Sequence, residues 1–179
     1  MKLISSIIFH KIFRWQIQGD FPQDEKKFII IFAPHTHWMD FFMGLATKWI
    51  KGLKANYAAK SSLFKPPFGF IFRWFGGVPI ERVPGGNKVD AIVQLFNSRD
   101  EFALAMSPEG TRQKVAQWKT GYYYIAKGAD IPIVMVSLDF KNKVIRISKP
   151  HRTTENKDLD FQTFYKYFEG VEGKIQEYS

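Results

Sequence analysis

A histidine followed five residues later by an aspartate is the pair in this chain best suited to moving a proton. Both lie in the stretch Ala33-Pro34-His35-Thr36-His37-Trp38-Met39-Asp40. An imidazole steered by a carboxylate can take a proton from a hydroxyl, because the carboxylate fixes the tautomer and stabilises the imidazolium that forms. Just ahead of the pair, Phe28-Ile29-Ile30-Ile31-Phe32 is an unbroken apolar run of strand length, the mark of a strand covered on both faces. A histidine directly after such a strand sits where α/β folds place their sites, outside the carboxyl ends of strands. Five helical steps would rotate the two side chains apart. His35 must therefore occupy the turn before a helix for Asp40 to reach it, and Pro34 favours that placement. Taken alone, the spacing also fits a helix-capping or surface histidine.

His35 and His37 additionally invite a zinc reading, since two histidines one residue apart at a strand end can share a metal. Asp40 is displaced from the His-x-His-x-Asp-His spacing of metallo-β-lactamases, and only His10 and His151 remain as further imidazoles. The chain has no cysteine, which excludes disulfides, thiolate catalysis and Cys-based zinc sites. No metal is expected. Two further constellations carry cations: Gly77-Val78-Pro79-Ile80-Glu81-Arg82 and Ser107-Pro108-Glu109-Gly110-Thr111-Arg112. Each puts an arginine at a strand end or in the loop that follows, and guanidinium forks grip phosphate bidentately. Gly110 lets backbone N–H groups approach a ligand closely. Either arginine by itself also fits a solvated or ion-paired surface group.

The elements that must position these residues alternate. Helical periodicity covers residues 3 to 17, with Leu3, Ile4, Ile7, Ile8, Ile12 and Trp15 on one side and Lys2, Ser6, His10, Arg14 and Gln18 on the other. Such an amphipathic helix, taking in residues 1–18, can dock on the domain or lie in a membrane interface. Strands are expected at 28–32, 56–59, 78–80, 101–106, 131–138 and 144–147. Helices are expected at 38–50, 66–75, 88–98, 120–127 and 158–177, the last weakened by Gly170 and Gly173. Residues 107–119 read as loop. The alternation predicts an α/β fold: one layered domain over residues 1–179, with a central, mostly parallel β-sheet flanked by helices and a catalytic core at 28–148.

Composition narrows the partners. With 26 Lys and Arg against 17 Asp and Glu, the formal net charge of +9 favours polyanions. Aromatics make up 17% of the chain, mostly Phe scattered through apolar runs without a groove-reading or RNP-like motif, so nucleic acid is not expected and lipid is. No segment approaches the roughly 20 apolar residues a spanning helix needs. The start, Met1 to Phe9, resembles a signal peptide only faintly, is broken by two serines and meets no cleavage site, so it reads as retained.

Taken together and in order, the blocks resemble the glycerolipid acyltransferase family, typified by 1-acyl-glycerol-3-phosphate acyltransferase. The matching stretches are His35 to Asp40, Gly77 to Arg82, Ser107 to Arg112, and Ile131-Pro132-Ile133-Val134, over roughly residues 28 to 140. Ala59-Lys60-Ser61-Ser62-Leu63-Phe64 also resembles the family's Ala-Lys-x-x-Leu segment. Departures stand at Ser107 in place of Phe, Met135 in place of a second Pro, Pro34 in place of Asn, and His37 in place of a small residue. The resemblance implies an O-acyltransferase that moves a fatty acyl group from acyl-CoA or acyl carrier protein to the hydroxyl of lysophosphatidic acid or a related lysolipid, with no cofactor. It implies that His35 is the general base and Asp40 its orienting partner. Lys60, Arg82 and Arg112 would hold the acceptor's phosphate, with Gly110 and Thr111 in the same binding loop. Glu109 would orient an arginine or accept from the acceptor's hydroxyl. The expected place of action is the inner, cytoplasmic face of an anionic membrane. The other reading is a non-catalytic lipid- or carrier-binding protein of the same fold.

Overall fold

The apolar run at Phe28–Phe32 lies within β2 (Lys27–Ala33), the middle strand of a seven-stranded sheet. The computed structural model describes residues 6–80 and 87–179, apart from the side chains of Ile8, Ile12, Ala59, Lys60 and Ile80. The other strands are β1 (Gln16–Gln18), β3 (Ala55–Lys60), β4 (Gly77–Ile80), β5 (Phe102–Met106), β6 (Ile133–Asp139) and β7 (Val144–Ile147). Their order is β1-β7-β6-β2-β5-β3-β4. From β6 to β4 every pairing is parallel, while β7 runs antiparallel to β6 and carries β1 parallel on its outer edge.

Both faces of β2 are covered, which is why its sequence does not alternate. Ile29, Ile31 and Ala33 face α3 (Lys88–Asn97), α4 (Gly121–Gly128) and α5 (Lys157–Phe168), packing with Ile92, Phe96, Tyr123 and Phe164. Phe28 and Ile30 face the other way, into a second cluster with Met43 of α1 (Met39–Lys51) and with Phe9, Trp15 and Phe21. The expected α/β arrangement, a mostly parallel sheet between helices, is what the chain adopts. Of the aromatic stretch at 66–75, only α2 (Gly69–Trp74) is α-helical, preceded by a 3₁₀ turn at Ser61–Phe64.

The two ends depart from expectation. Residues 1–5 of the expected first helix lie outside the described residues. The chain then makes a π-helical turn at Ile7–Ile12, passes Arg14 at φ 57° and joins the sheet as β1 instead of continuing helical to residue 17. Trp15 is core, with its ring 4.9 Å from that of Phe140, and the Gln16 N–H donates to the Lys143 carbonyl. The pairing partner lies well over a hundred residues away, so local periodicity could not announce it. At the other end α5 stops at Phe168, short of the expected residue 177. Gly170 turns with φ 70°, and the tail runs back beneath the loop after β2, where the Ile175 N–H donates to Thr36 Oγ1 at 3.2 Å. Among the described residues no helix is long and apolar enough to cross a membrane.

A buried carboxylate fastens α5 to its neighbours. Asp160, 1% exposed, accepts from His151 Nε2–H at 2.8 Å, the Thr154 N–H at 2.8 Å and the Tyr123 hydroxyl at 3.2 Å. Burial alone pushes this carboxyl's pKa up, but the bonds from His151, Thr154 and Tyr123 outweigh it and hold the group below its ordinary value of 3.8. A carboxyl depressed in the folded state adds stability that is full above the unfolded pKa and is lost as pH falls through the folded one. Asp160→Asn should therefore cost about 2–3 kcal/mol at neutral pH, or about 4–12 °C in Tm. The gap to the natural protein should narrow below about pH 4. Melts at both pH values check this, and a gap independent of pH would remove the charge from the account.

Candidate active site

Asp40 sits in the first turn of α1, and its Oδ2 gathers three donors from the loop after β2. These are His35 Nδ1–H at 3.0 Å, the Thr36 N–H at 2.8 Å and the His37 N–H at 2.8 Å. Because a carboxylate only accepts, Nδ1 of His35 is the donor, so the neutral form of the ring has its lone pair on Nε2. The aspartate is 2% exposed, while the imidazole side chain retains 18% and stands edge-on to the Phe32 ring at 5.3 Å. The inferred geometry, His35 in the turn and Asp40 on the helix, is the one observed. His37 turns away to the helix start, where its Nδ1 accepts from the Met39 N–H at 3.2 Å.

The loop after β5 closes the site from the neighbouring strand, since Ile31 of β2 registers with Met106 of β5. Glu109 is buried, and its Oε2 accepts from the His35 N–H at 2.8 Å and from the Ser107 hydroxyl at 3.3 Å. Desolvation raises this carboxyl's pKa, and the two hydrogen bonds only partly oppose it. Glu109 was expected beside an arginine or a substrate hydroxyl; its partners among the described residues are instead the backbone of the His35 loop and its own turn. Gly110 adopts φ 65°, and a side chain there would run into Lys119, whose Nζ is 2.5 Å from the position of an added Cβ. Thr111 Oγ1 accepts from the Gln113 N–H at 3.4 Å within the turn, and Arg112 is exposed at the rim. Lys119, seven residues beyond Arg112 in an irregular stretch, had no pattern to mark it.

His35, Asp40, Ser107, Gly110 and Arg112 line the mouth of a cavity of about 650 Å³ between α1 and the sheet. Its walls are apolar: Ile30, Phe32, Ala105, Val136 and Leu138 from the strands, Phe41 and Leu45 from α1. Two of the polar groups in the wall, Lys48 and Tyr57, are tied to backbone across the cavity's own elements. Lys48 Nζ donates to the Phe75 carbonyl at 3.1 Å, and burial lowers its pKa; the Tyr57 hydroxyl donates to the Phe72 carbonyl at 3.2 Å, and burial raises its pKa. Of the remaining expected binding residues, Arg82 lies outside the described residues together with Glu81. Lys60 ends β3 at the same edge of the sheet as His35, with its side chain outside the described set.

The family model described as Acyltransferase matches residues 14–139, which takes in all four blocks. The chain belongs to the acyltransferase family. This acyltransferase chain is 22% identical over 146 residues to the 1-acyl-sn-glycerol-3-phosphate acyltransferase of Haemophilus influenzae, covering 78% of this chain and 60% of that protein. It is 26% identical over 121 residues to the enzyme of the same name from Escherichia coli, covering 64% of this chain and 49% of that one. The chain thus spans about half to three-fifths of the length of these curated relatives. The crystal structure of the 1-acyl-sn-glycerophosphate (LPA) acyltransferase PlsC from Thermotoga maritima has the same fold. It superposes with a TM-score of 0.64 at 19% identity, over 93% of this chain and 74% of that one.

The hydrogen-bond pattern makes the acyltransferase loop depend on the carboxylate more than on the imidazole. Asp40→Ala leaves the buried Thr36 N–H and the part-buried His37 N–H unpaired and should cost about 2–4 kcal/mol, whereas His35→Ala removes one bond at a partly exposed position and should cost about 1 kcal/mol. Urea unfolding of the two variants checks the order. Equal costs would show that the loop is held by something else.

Proposed function

We propose that this chain transfers a fatty acyl group from a thioester, acyl-CoA or acyl carrier protein, to the hydroxyl of a lysophospholipid of the 1-acyl-glycerol-3-phosphate type. The observation that carries this reading is the His35–Asp40 pair at the mouth of an apolar cavity with Arg112 on its rim. Proton-moving groups, a hydrophobic slot and a cation within one opening suit an amphipathic alcohol with an anionic head. The names of the Haemophilus influenzae and Escherichia coli relatives supply the acceptor class.

In the proposed step His35 Nε2 takes the hydroxyl proton while Asp40 holds the ring through Nδ1–H. The alkoxide oxygen bonds to the thioester carbonyl carbon, and the tetrahedral oxyanion draws on nearby N–H donors. The backbone N–H of Gly110, which lines the cavity, is the donor proposed for that role. As the intermediate collapses, the carbon–sulfur bond breaks and the imidazolium returns its proton to the leaving thiolate. Both substrates are consumed as written, with no cofactor or metal in the scheme. Arg112, with Lys60 and Arg82, grips the acceptor's phosphate. Glu109 serves by fixing the His35 backbone, and Thr111 by shaping the turn that presents Arg112. The reaction takes place at the inner, cytoplasmic face of the membrane, where such acceptors reside.

Incubating the pure protein with labelled acyl-CoA or acyl carrier protein and a panel of lysolipids tests the reading. Transfer to lysophosphatidic acid is expected, and transfer only to another lysolipid or an amino-lipid would reassign the acceptor while keeping the chemistry. His35→Ala should lose about 10²–10⁴-fold in kcat with a native far-UV circular dichroism spectrum; near-full activity removes the base from the scheme. Arg112→Ala should raise the acceptor's KM about 10–100-fold with kcat little changed. An unchanged KM would place that guanidinium at the surface only.

A further inference from the structure

Between Phe41 and Ile80 the chain carries six lysines and arginines and not one aspartate or glutamate. The same stretch holds ten aromatic residues. Two-thirds of the excess positive charge of the whole chain, +9, therefore sits in this one segment, which also builds α1, β3 and α2 on one side of the cavity.

Its outer apolar side chains are bare. Phe68, Phe70 and Trp74 of the α2 region are 64%, 68% and 71% exposed, and Trp38 and Phe42 at the start of α1 are 55% exposed each. Single exposed apolar residues need no explanation, but a joined set of large rings does. These are joined. Trp38 packs edge-on to Phe42 at 5.6 Å, Phe42 to Phe41 at 5.6 Å, Phe41 to Phe75 at 6.3 Å, and Phe75 lies 4.9 Å from Trp74. Trp38, Phe42 and Leu63 belong to this patch and also line the cavity, so the patch borders it on that side.

The rings are held outward by the fold. Arg73 donates to the Phe64 carbonyl at 3.2 Å and lies over the Phe64 ring, while Tyr57 and Lys48 bond the carbonyls of Phe72 and Phe75. Gly69 lets α2 sit directly on the preceding turn, since an added Cβ would stand 2.0 Å from the Phe64 carbonyl oxygen. A helix of six residues fastened at this many points presents its outer rings and cannot fold them inward.

We propose that α2 and the start of α1 form the docking face by which this protein seats its cavity mouth on an anionic lipid bilayer. The rings would enter the boundary between headgroups and acyl chains, and Lys65 and Arg73 would meet lipid phosphates. An acidic protein or a nucleic acid would satisfy the cations but has no use for exposed rings bordering an apolar cavity. The proposal rests on the lipid-acceptor reading and adds where the lipid comes from: a lysolipid slides its chain from the leaflet into the cavity without crossing water. It puts the membrane contact, one of the two readings of residues 1–18, on a segment that begins twenty residues later.

Flotation with vesicles of equal parts phosphatidylglycerol and phosphatidylcholine, against pure phosphatidylcholine, tests it. The natural protein should float with the anionic vesicles, and the attachment should weaken as salt shortens the Debye length. The triple variant Phe68→Ser, Phe70→Ser, Trp74→Ser should lose about 100-fold or more in partition. Its turnover of a water-dispersed short-chain lysolipid should be unchanged, because none of the three lines the cavity. In the natural protein, lipids brominated near the top of the chain should quench tryptophan fluorescence, which needs no variant at all. Undiminished flotation of the triple variant, absence of quenching, or retention by acyl carrier protein in place of vesicles would each overturn the proposal. Ring-dependent flotation without turnover on any acceptor would support the docking face and strike the proposed reaction instead.

Discussion

Three N–H groups converge on one oxygen, Oδ2 of Asp40, and the shape of the cavity mouth follows from that convergence. Hydrogen bonds to a buried carboxylate are among the stronger ones a protein makes, and the first turn of a helix is where a negative charge meets the favourable end of the macrodipole. Two of the donors are backbone, so the carboxylate specifies the path of residues 36 and 37 as well as the direction of the ring. Glu109 completes the set by taking the N–H of residue 35. Three successive amides of a loop are thus received by two buried carboxylates, one from α1 and one from the turn after β5. The bare end of β2 becomes a rigid mount for an imidazole. The tail seals its back: Gly173 passes Thr36 so closely that an added Cβ would stand 2.6 Å from Thr36 Cγ2.

The cavity behind this mount is the consequence of what α1 lacks. Gly44 lines it and an added Cβ would meet nothing within 4 Å, so any larger residue would subtract from the open volume. Thr47 puts a hydroxyl into the same apolar wall but spends it on the Met43 carbonyl at 2.8 Å. With Lys48 and Tyr57 also committed to backbone carbonyls, the walls offer a ligand mostly hydrocarbon. The polar groups left for recognition gather at the mouth, around His35 and Arg112. This division, apolar depth and polar rim, is the one an amphipathic ligand requires.

The parts of this arrangement that were legible in the sequence are those written within a few residues of each other. The spacing of His35 and Asp40 with Pro34 between strand and helix determined which of them sat in the turn, and the unbroken run at Phe28–Phe32 announced a strand covered on both faces. The order of four blocks identified the family, although no single block could. What stayed hidden was set by contacts distant along the chain. Glu109 meets His35 across 74 residues because β2 and β5 are neighbours, which no local pattern states. Gln16 leaves the helix its periodicity suggested because β7 offers a free edge. The closing helix ends at Phe168 because the tail is needed beneath Thr36, and Gly170 and Gly173, which weakened the helical reading, are the residues that let it turn and pass. Lys119 meets Gly110 only through the fold of a loop.

Which groups decide the choice of ligand depends on where the ligand starts. From water, each methylene drawn into an apolar slot contributes about 0.8 kcal/mol, so ten of them would outweigh a single guanidinium–phosphate contact several times over. From a bilayer the balance reverses. A lipid tail is already in hydrocarbon, so moving it into the cavity is close to neutral. What remains is the gain at the rim, where Arg112 stands, set against the loss of the headgroup's neighbours. On the proposed docking face, the large apolar cavity therefore admits a chain without selecting for it strongly. On the same proposal Arg112, small in area, would carry the discrimination between one headgroup and another. On that proposal, specificity would rest on the loop after β5, and room for a lipid chain on the space between α1 and the sheet.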